Sequence, residues 1–235
     1  MKWIHSARDI AGLVNEWGFL PFFRNGVPGC SLAEHTPPEL WFSNEADGPW
    51  EWKGPVIQMT GGAYGKFFAN KAGFVSREWF GDFANYRRDG YDFEGYFEDG
   101  KASYRDKAVY DVLERHGNLI SKALKRECGK PKGYDGSLTR LQMRTFIVTS
   151  NFEYEVDRHG RQYGWGVARY ATPEDYFGMD YMEAIYHRSP EESFSRPFSG
   201  PRRQFILMQR NLGLWDNWSL DIWTLLNGRQ SVSSQ

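Results

Sequence analysis

The stretch that decides the fold is Ser137-Leu138-Thr139-Arg140-Leu141-Gln142-Met143-Arg144-Thr145-Phe146-Ile147-Val148. Behind it come Phe152-Glu153-Tyr154-Glu155-Val156, the turn Asp157-Arg158-His159-Gly160-Arg161 and Tyr163-Gly164-Trp165-Gly166-Val167-Ala168-Arg169-Tyr170. Ser137 is a hydroxyl suited to an N-cap, and Leu138, Leu141, Thr145 and Val148 recur at helical spacing, which predicts a helix over 137–150. Two aromatic and β-branched runs around a glycine-containing turn predict a hairpin with its tip at 157–161. Upstream, Tyr104, Ala108, Val109, Val112 and Leu113 mark a helix over 103–116 that Gly117 stops. Asn118 would cap a second helix over 118–128, with Leu119, Ile120, Ala123, Leu124 and Cys128 facing inward and Lys122, Lys125 and Arg126 outward. Three helices followed by a hairpin make a winged helix-turn-helix inside an α+β chain. Phe146 and Ile147 fit the wheel of the third helix poorly and need cover from elsewhere.

Charge singles out the same segment. The 235 residues carry 29 Lys and Arg against 30 Asp and Glu, and a net charge of −1 would alone argue against a polyanion partner. The distribution is uneven: residues 1–100 stand at −5, residues 101–172 at +6 and residues 173–235 at −2. A basic module in an acidic chain is the electrostatic footprint of phosphate binding, because neutralised phosphates release condensed counterions. In a winged helix the third helix enters the major groove and the hairpin tip reaches a phosphate or the minor groove. The candidate DNA-contacting residues are therefore Lys122, Lys125, Arg126, Thr139, Arg140, Met143, Arg144, Arg158, His159 and Arg161, with double-stranded DNA as the expected partner. A winged helix used only for protein contacts is the alternative, since fold does not certify function.

Around this unit the chain divides into an aromatic-rich region, 1–100, packing on the winged helix at 101–172, and a C-terminal helical tail, 173–235. Ala7–Trp17 reads as an amphipathic helix capped by Ser6, followed by a loop at Gly18–Phe23 and a short helix capped by Thr36. Residues 49–57 and 63–68 read as short strands or an irregular hairpin around Gly61-Gly62. The tail begins at Pro173, passes through Tyr181–Ile185, and ends in a helix over 202–214 and a frayed polar terminus at 229–235. No internal repeat is evident. The absence of a long apolar run or a signal-peptide core, and two widely spaced cysteines, Cys30 and Cys128, point to a soluble cytoplasmic chain.

Chemical motifs are sparse. Thr60-Gly61-Gly62-Ala63-Tyr64-Gly65-Lys66 fails as a phosphate loop, because Thr60 and Phe67 stand where a glycine and a hydroxyl are needed. His5, His35, His116, His159 and His187 lack metal-ligand spacing, so neither a metal nor a cofactor is expected. The remaining candidate is Glu51, a carboxylate between Trp50 and Trp52. An apolar setting would raise its pKa and suit it to general-acid work beside an extruded base. The structural alternative pairs it with a cation such as Lys53 or Arg87.

One family resemblance joins these pieces. Gly18-Phe19-Leu20-Pro21, His35-Thr36-Pro37-Pro38-Glu39-Leu40-Trp41, Pro49-Trp50-Glu51-Trp52, Tyr64-Gly65-Lys66-Phe67-Phe68, Asn70-Lys71-Ala72-Gly73-Phe74 and Asn85-Tyr86-Arg87-Arg88-Asp89-Gly90-Tyr91 resemble the bacterial AlkZ-related proteins, over roughly residues 10–177. These are distant relatives of the AlkZ/YcaQ winged-helix DNA glycosylases, which excise alkylated or crosslinked bases. The resemblance implies DNA binding linked to alkylation or crosslink repair, with a glycosylase-like base-excision enzyme as the alternative. The chain departs from the glycosylases in lacking their catalytic Gln-x-Gln or Gln-x-Asp motif, so no catalytic residue is carried over.

Overall fold

A computed structural model describes residues 3–25, 28–43, 47–130, 132–159 and 162–196, with the backbone alone at 162–165. The first part of the chain runs α1 (Ala7–Trp17), β1 (Phe19–Pro21), α2 (Leu32–His35), α3 (Pro49–Thr60), β2 (Ala63–Phe68) and β3 (Lys71–Val75). Ser6 caps α1 by accepting the Asp9 N–H, and Ile10, Ala11, Val14 and Trp17 form its buried stripe. After α4 (Arg77–Arg88) and α5 (Phe93–Glu98), a second part runs α6 (Tyr104–His116), β4 (Asn118–Ile120), α7 (Ser121–Glu127), α8 (Tyr134–Met143), β5 (Val148–Val156) and β6 (Gln162–Ala171).

The two parts repeat one plan. Each runs helix, strand, helix, helix, strand, strand, and in each the last strand lies between the other two. β3 pairs with β1 and β2, and β6 pairs with β4 and β5, all antiparallel. β2 joins β5 at Tyr64 and Thr149, giving one six-stranded sheet in the order β1-β3-β2-β5-β6-β4. That order reads the same from either edge, unit for unit. The repetition was not visible in the sequence because the two units share strand pairing and not residue pattern.

Between the units α4 forms the keel. Phe80, Phe83 and Ala84 pack against Phe19, Phe67 and Val148 of the sheet, and against Phe177, Met182 and Ile185 from the closing segment. That segment contains α9 (Pro173–Phe177), α10 (Met179–Glu183) and α11 (Pro190–Ser195). Arg87 is 2% exposed and donates to the Phe67 carbonyl at 2.6 Å and the Met143 carbonyl at 2.9 Å, tying β2 to the end of α8. Arg88, fully buried, pairs with Glu174 at 2.8 Å and donates to Tyr186 and to the Thr145 carbonyl. Burial alone would lower its pKa, but the Glu174 charge and the Tyr186 contact outweigh that and raise it.

Several sequence expectations change. Residues 49–60 form helix α3, not strands: Pro49 sits in its first turn, the Glu51 carboxylate accepts the Gly48 N–H at 2.9 Å, and Gly61 ends it at φ 56°. Pro55 lies inside the helix and cannot donate to the Glu51 carbonyl, and the Tyr154 hydroxyl donates there instead, at 3.0 Å. The β2–β3 turn falls at Ala69-Asn70, not at Gly61-Gly62. Gly18–Phe23 contains strand β1, and Thr36 starts no helix: it follows α2, and a single 3₁₀ turn spans Pro38–Leu40.

In the second unit Asn118–Ile120 is a strand, so the helix there is only α7. The third helix starts at Tyr134 and stops at Met143. Ser137 is buried inside it, and Thr145, at φ 62°, turns the chain into β5. Phe146 and Ile147 leave the helix for the core with Phe93, Tyr110 and Leu113, which supplies the cover they needed. The expected helix 103–116 is α6, and the hairpin β5–β6 turns at the expected tip. The helix expected over 202–214 and the terminus at 229–235 lie outside the described residues.

Candidate nucleic-acid interface

Helix α8 carries Thr139, Arg140 and Met143, with Arg144 directly after it. Packing against α6 and β2 leaves Arg140 exposed and the other three half-buried. Arg140, a candidate DNA contact, is exposed and at the same time ion-paired. Its Nη2 donates to Asp106 of α6 at 2.7 Å, where the carboxylate is only 7% exposed, and to Ser137 at 3.0 Å. Burial pushes the Asp106 carboxyl up, but donation from Arg140 and Ser103 outweighs it and holds the group below the usual carboxylate range. Arg144 donates to the Arg87 carbonyl and lies over the Tyr96 ring at 5.7 Å. The Met143 carbonyl accepts from the buried Arg87.

Around these residues lies a half-open cavity of about 230 Å³, walled by Tyr96, Phe146 and Leu141 and rimmed by Lys101, Arg140 and Arg144. Two contributors were missed by sequence reasoning. Lys101 reaches the rim from the segment after α5, and Lys66 of β2 donates to the Thr139 hydroxyl at 3.0 Å across 73 positions of chain. Nothing local marks Lys66, because only the β2–β5 pairing brings it to α8.

On α7, Lys122 is exposed, Lys125 pairs with Asp135 at 3.5 Å and Arg126 with Glu127 at 3.3 Å. At the hairpin tip Arg158 donates to His159 at 3.0 Å, both side chains being exposed; Arg161 lies outside the described residues. The candidates thus fall into three groups, on α7, on α8 and at the tip.

Glu51 is half-buried, with Oε2 taken by the Gly48 N–H. No ion pair joins it to Lys53 among the described residues, and Arg87 is engaged elsewhere, at the junction of the two units. Trp50 stands edge-on to Trp41 at 5.6 Å and beside Phe22 at 5.3 Å, in the core of the first unit. Among the described residues the carboxylates of Glu94, Asp111 and Glu114 converge within 4.8 Å. Lys107 already supplies a cation there, 2.7 Å from Glu94 and 2.9 Å from Asp111. Among the described residues Cys30 and Cys128 form no disulfide, and no helix is long and apolar enough to cross a membrane.

These features define a mixed α+β protein with an antiparallel sheet at its centre and a cation-rimmed helix at the junction of its two units. The AlkZ-related family model matches residues 4–200, and the chain belongs to that family. No curated protein and no solved structure matches it.

Proposed function

We propose that the chain is a cytoplasmic double-stranded-DNA-binding protein of the winged-helix type, with a role in alkylation or crosslink repair suggested by its family. Residues 101–172 are the binding unit, 1–100 pack on it, and 173–235 form the tail. The observation that carries this reading is the connectivity of the second unit, α6-β4-α7-α8-β5-β6 with sheet order β4-β6-β5. On this reading α8 is the third helix and the turn at 157–161 the wing. The +6 charge of the same segment supports it. On this reading Lys122, Lys125, Arg126, Arg158, His159 and Arg161 hold phosphates, and Thr139, Arg140, Met143 and Arg144 lie nearest the bases. Replacing Arg158 and Arg161 together by Ala is expected to weaken duplex binding uniformly across sequences. The slope of log K against log salt should become shallower by about 2, at about 0.9 per lost phosphate contact. Unchanged affinity at low salt removes the wing from the interface. No duplex binding at any salt concentration leaves the protein-interaction module.

Base excision with Glu51 as acid or base is the second reading, favoured by one feature: Oε1 has no partner among the described residues, while Oε2 is fixed by the cap. Glu51→Gln separates the two, because the amide preserves packing and removes the ionisable group. Loss of base release from alkylated duplex at unchanged melting temperature supports catalysis. A wild-type protein that releases no base rejects it.

A further inference from the structure

Lys53 lies on α3 and is 8% exposed, a burial that lysines rarely reach unless paired. Among the described residues it makes no hydrogen bond and no ion pair. Its Nζ sits 4.2 Å from the centre of the Phe152 ring and 5.2 Å from that of Trp50, while the nearby Glu51 carboxylate is turned to the Gly48 N–H. Aromatic faces hold an ammonium less firmly than a carboxylate does, so desolvation dominates. Burial lowers its pKa to about 8, against a smaller opposing effect of the Glu51 charge. Roughly a quarter of such amines are neutral at pH 7.5, against on the order of one in a thousand for an ordinary lysine. Desolvation of this kind makes a lysine a nucleophile toward carbonyl carbon. Phe152 belongs to β5, the strand that leads toward the hairpin tip at 157–161.

We infer that Lys53 is a nucleophilic amine that forms an imine with the aldehyde of a ring-opened abasic deoxyribose in DNA, a choice of substrate that rests on the DNA-binding function proposed above. The neutral Nζ attacks the C1′ carbonyl carbon to give a carbinolamine. The carbinolamine then loses the former carbonyl oxygen as water, so that C=N replaces C=O. No oxidant or reductant takes part. Hydrolysis returns the free amine and the aldehyde.

The test uses the full chain in two arms. In the first, a limiting amount of propanal with cyanoborohydride is followed by peptide mapping; Lys53 is expected to be alkylated about 10-fold faster than exposed Lys122 and Lys132. Equal or slower labelling overturns the inference. In the second, a short duplex with one abasic site is treated with borohydride, which reduces an imine to a stable secondary amine. A covalent complex mapped to Lys53, lost in Lys53→Arg and retained in a Lys71→Met variant of strand β3, is the expected result. Lys53→Arg keeps a cation over the two rings, and mapping the wild-type adduct reads the site directly should the variant fail to fold. A duplex that is bound but not captured, or is captured by another amine, overturns the inference and leaves DNA binding standing. Failure to bind any duplex at low salt removes the function proposed above together with this substrate.

Discussion

The two units share a plan and differ in how they use it. Residues 1–75 hold six basic against seven acidic side chains, residues 101–172 fourteen against eight. In the first unit α1 meets α3 through apolar side chains, with Ile10, Val14, Trp52 and Val56 in one cluster, and the hairpin β2–β3 closes in a two-residue turn. In the second, the equivalent helices α6 and α8 are clamped partly by the Asp106–Arg140 pair, and the strands of the hairpin β5–β6 are 9 and 10 residues long. One connectivity therefore holds its paired helices by apolar packing in one place and partly by an ion pair in the other. Side chains, not topology, assign the roles.

The largest expected effect comes from cutting the tie between the units. Arg87→Leu leaves the buried Phe67 and Met143 carbonyls without their donor and is expected to cost about 3–5 kcal/mol in denaturant titrations. A loss below about 1 kcal/mol would mean that the units are held by the sheet and α4 packing alone.

A smaller effect separates the two helix clamps. The Asp106 carboxyl titrates below its unfolded value, so its contribution is complete above the unfolded pKa of about 3.9 and is lost as pH falls through the lower folded value. Asp106→Asn should cost about 1–2 kcal/mol at pH 7 and converge with wild type in strong acid. Hydrogen exchange at low pH is expected to speed up at the α6–α8 contact before the apolar α1–α3 contact. Equal acceleration in both would show that the ion pair does not distinguish them.

The smallest effect tests the short turn. Ala69 and Asn70 both adopt positive φ, 47° and 66°, a conformation that costs an alanine on the order of 1 kcal/mol. Ala69→Gly is expected to raise stability by about 0.5–1 kcal/mol, read as a higher melting temperature. A fall would mean that the added backbone freedom outweighs the relief.

Elements with local signals were legible. Ser6, read as a cap, starts α1, and the helix read over 103–116 is α6, whereas Thr36, Asn118 and Ser137, read as caps in the same way, start no helix. The tip at 157–161 followed from two aromatic runs around a glycine. Helix α3 carried a signal that was passed over: Pro49 in the first turn, Glu51 at the capping-box position and Gly61 at the end. Gly54 and Pro55 in its middle argued against a helix. In the candidate site, a helix carrying Arg140 was read from the sequence, but over 137–150, whereas α8 spans Tyr134–Met143 and Arg144 falls just after it. The Asp106 partner of Arg140, the neighbour Lys66 and the buried state of Lys53 were not legible, because each depends on a residue distant in sequence or on an interior that only the fold creates.

The sequence by itself determined that the chain is mixed α+β, that its basic charge lies in 101–172, that helices run through 7–17 and 103–116, where the long hairpin turns, and which family it resembles. Capping, periodicity and turn chemistry act over a few residues, and charge can be counted without coordinates. Tertiary structure alone decided that residues 49–60 are a helix, since the Glu51 carbonyl orphaned by Pro55 is satisfied by Tyr154, a residue 103 positions away. It also decided that 118–120 is a strand, because three residues form one only when a partner at 169–171 accepts them. Finally it made the two units one sheet through the pairing of Tyr64 with Thr149, a contact that no local pattern encodes.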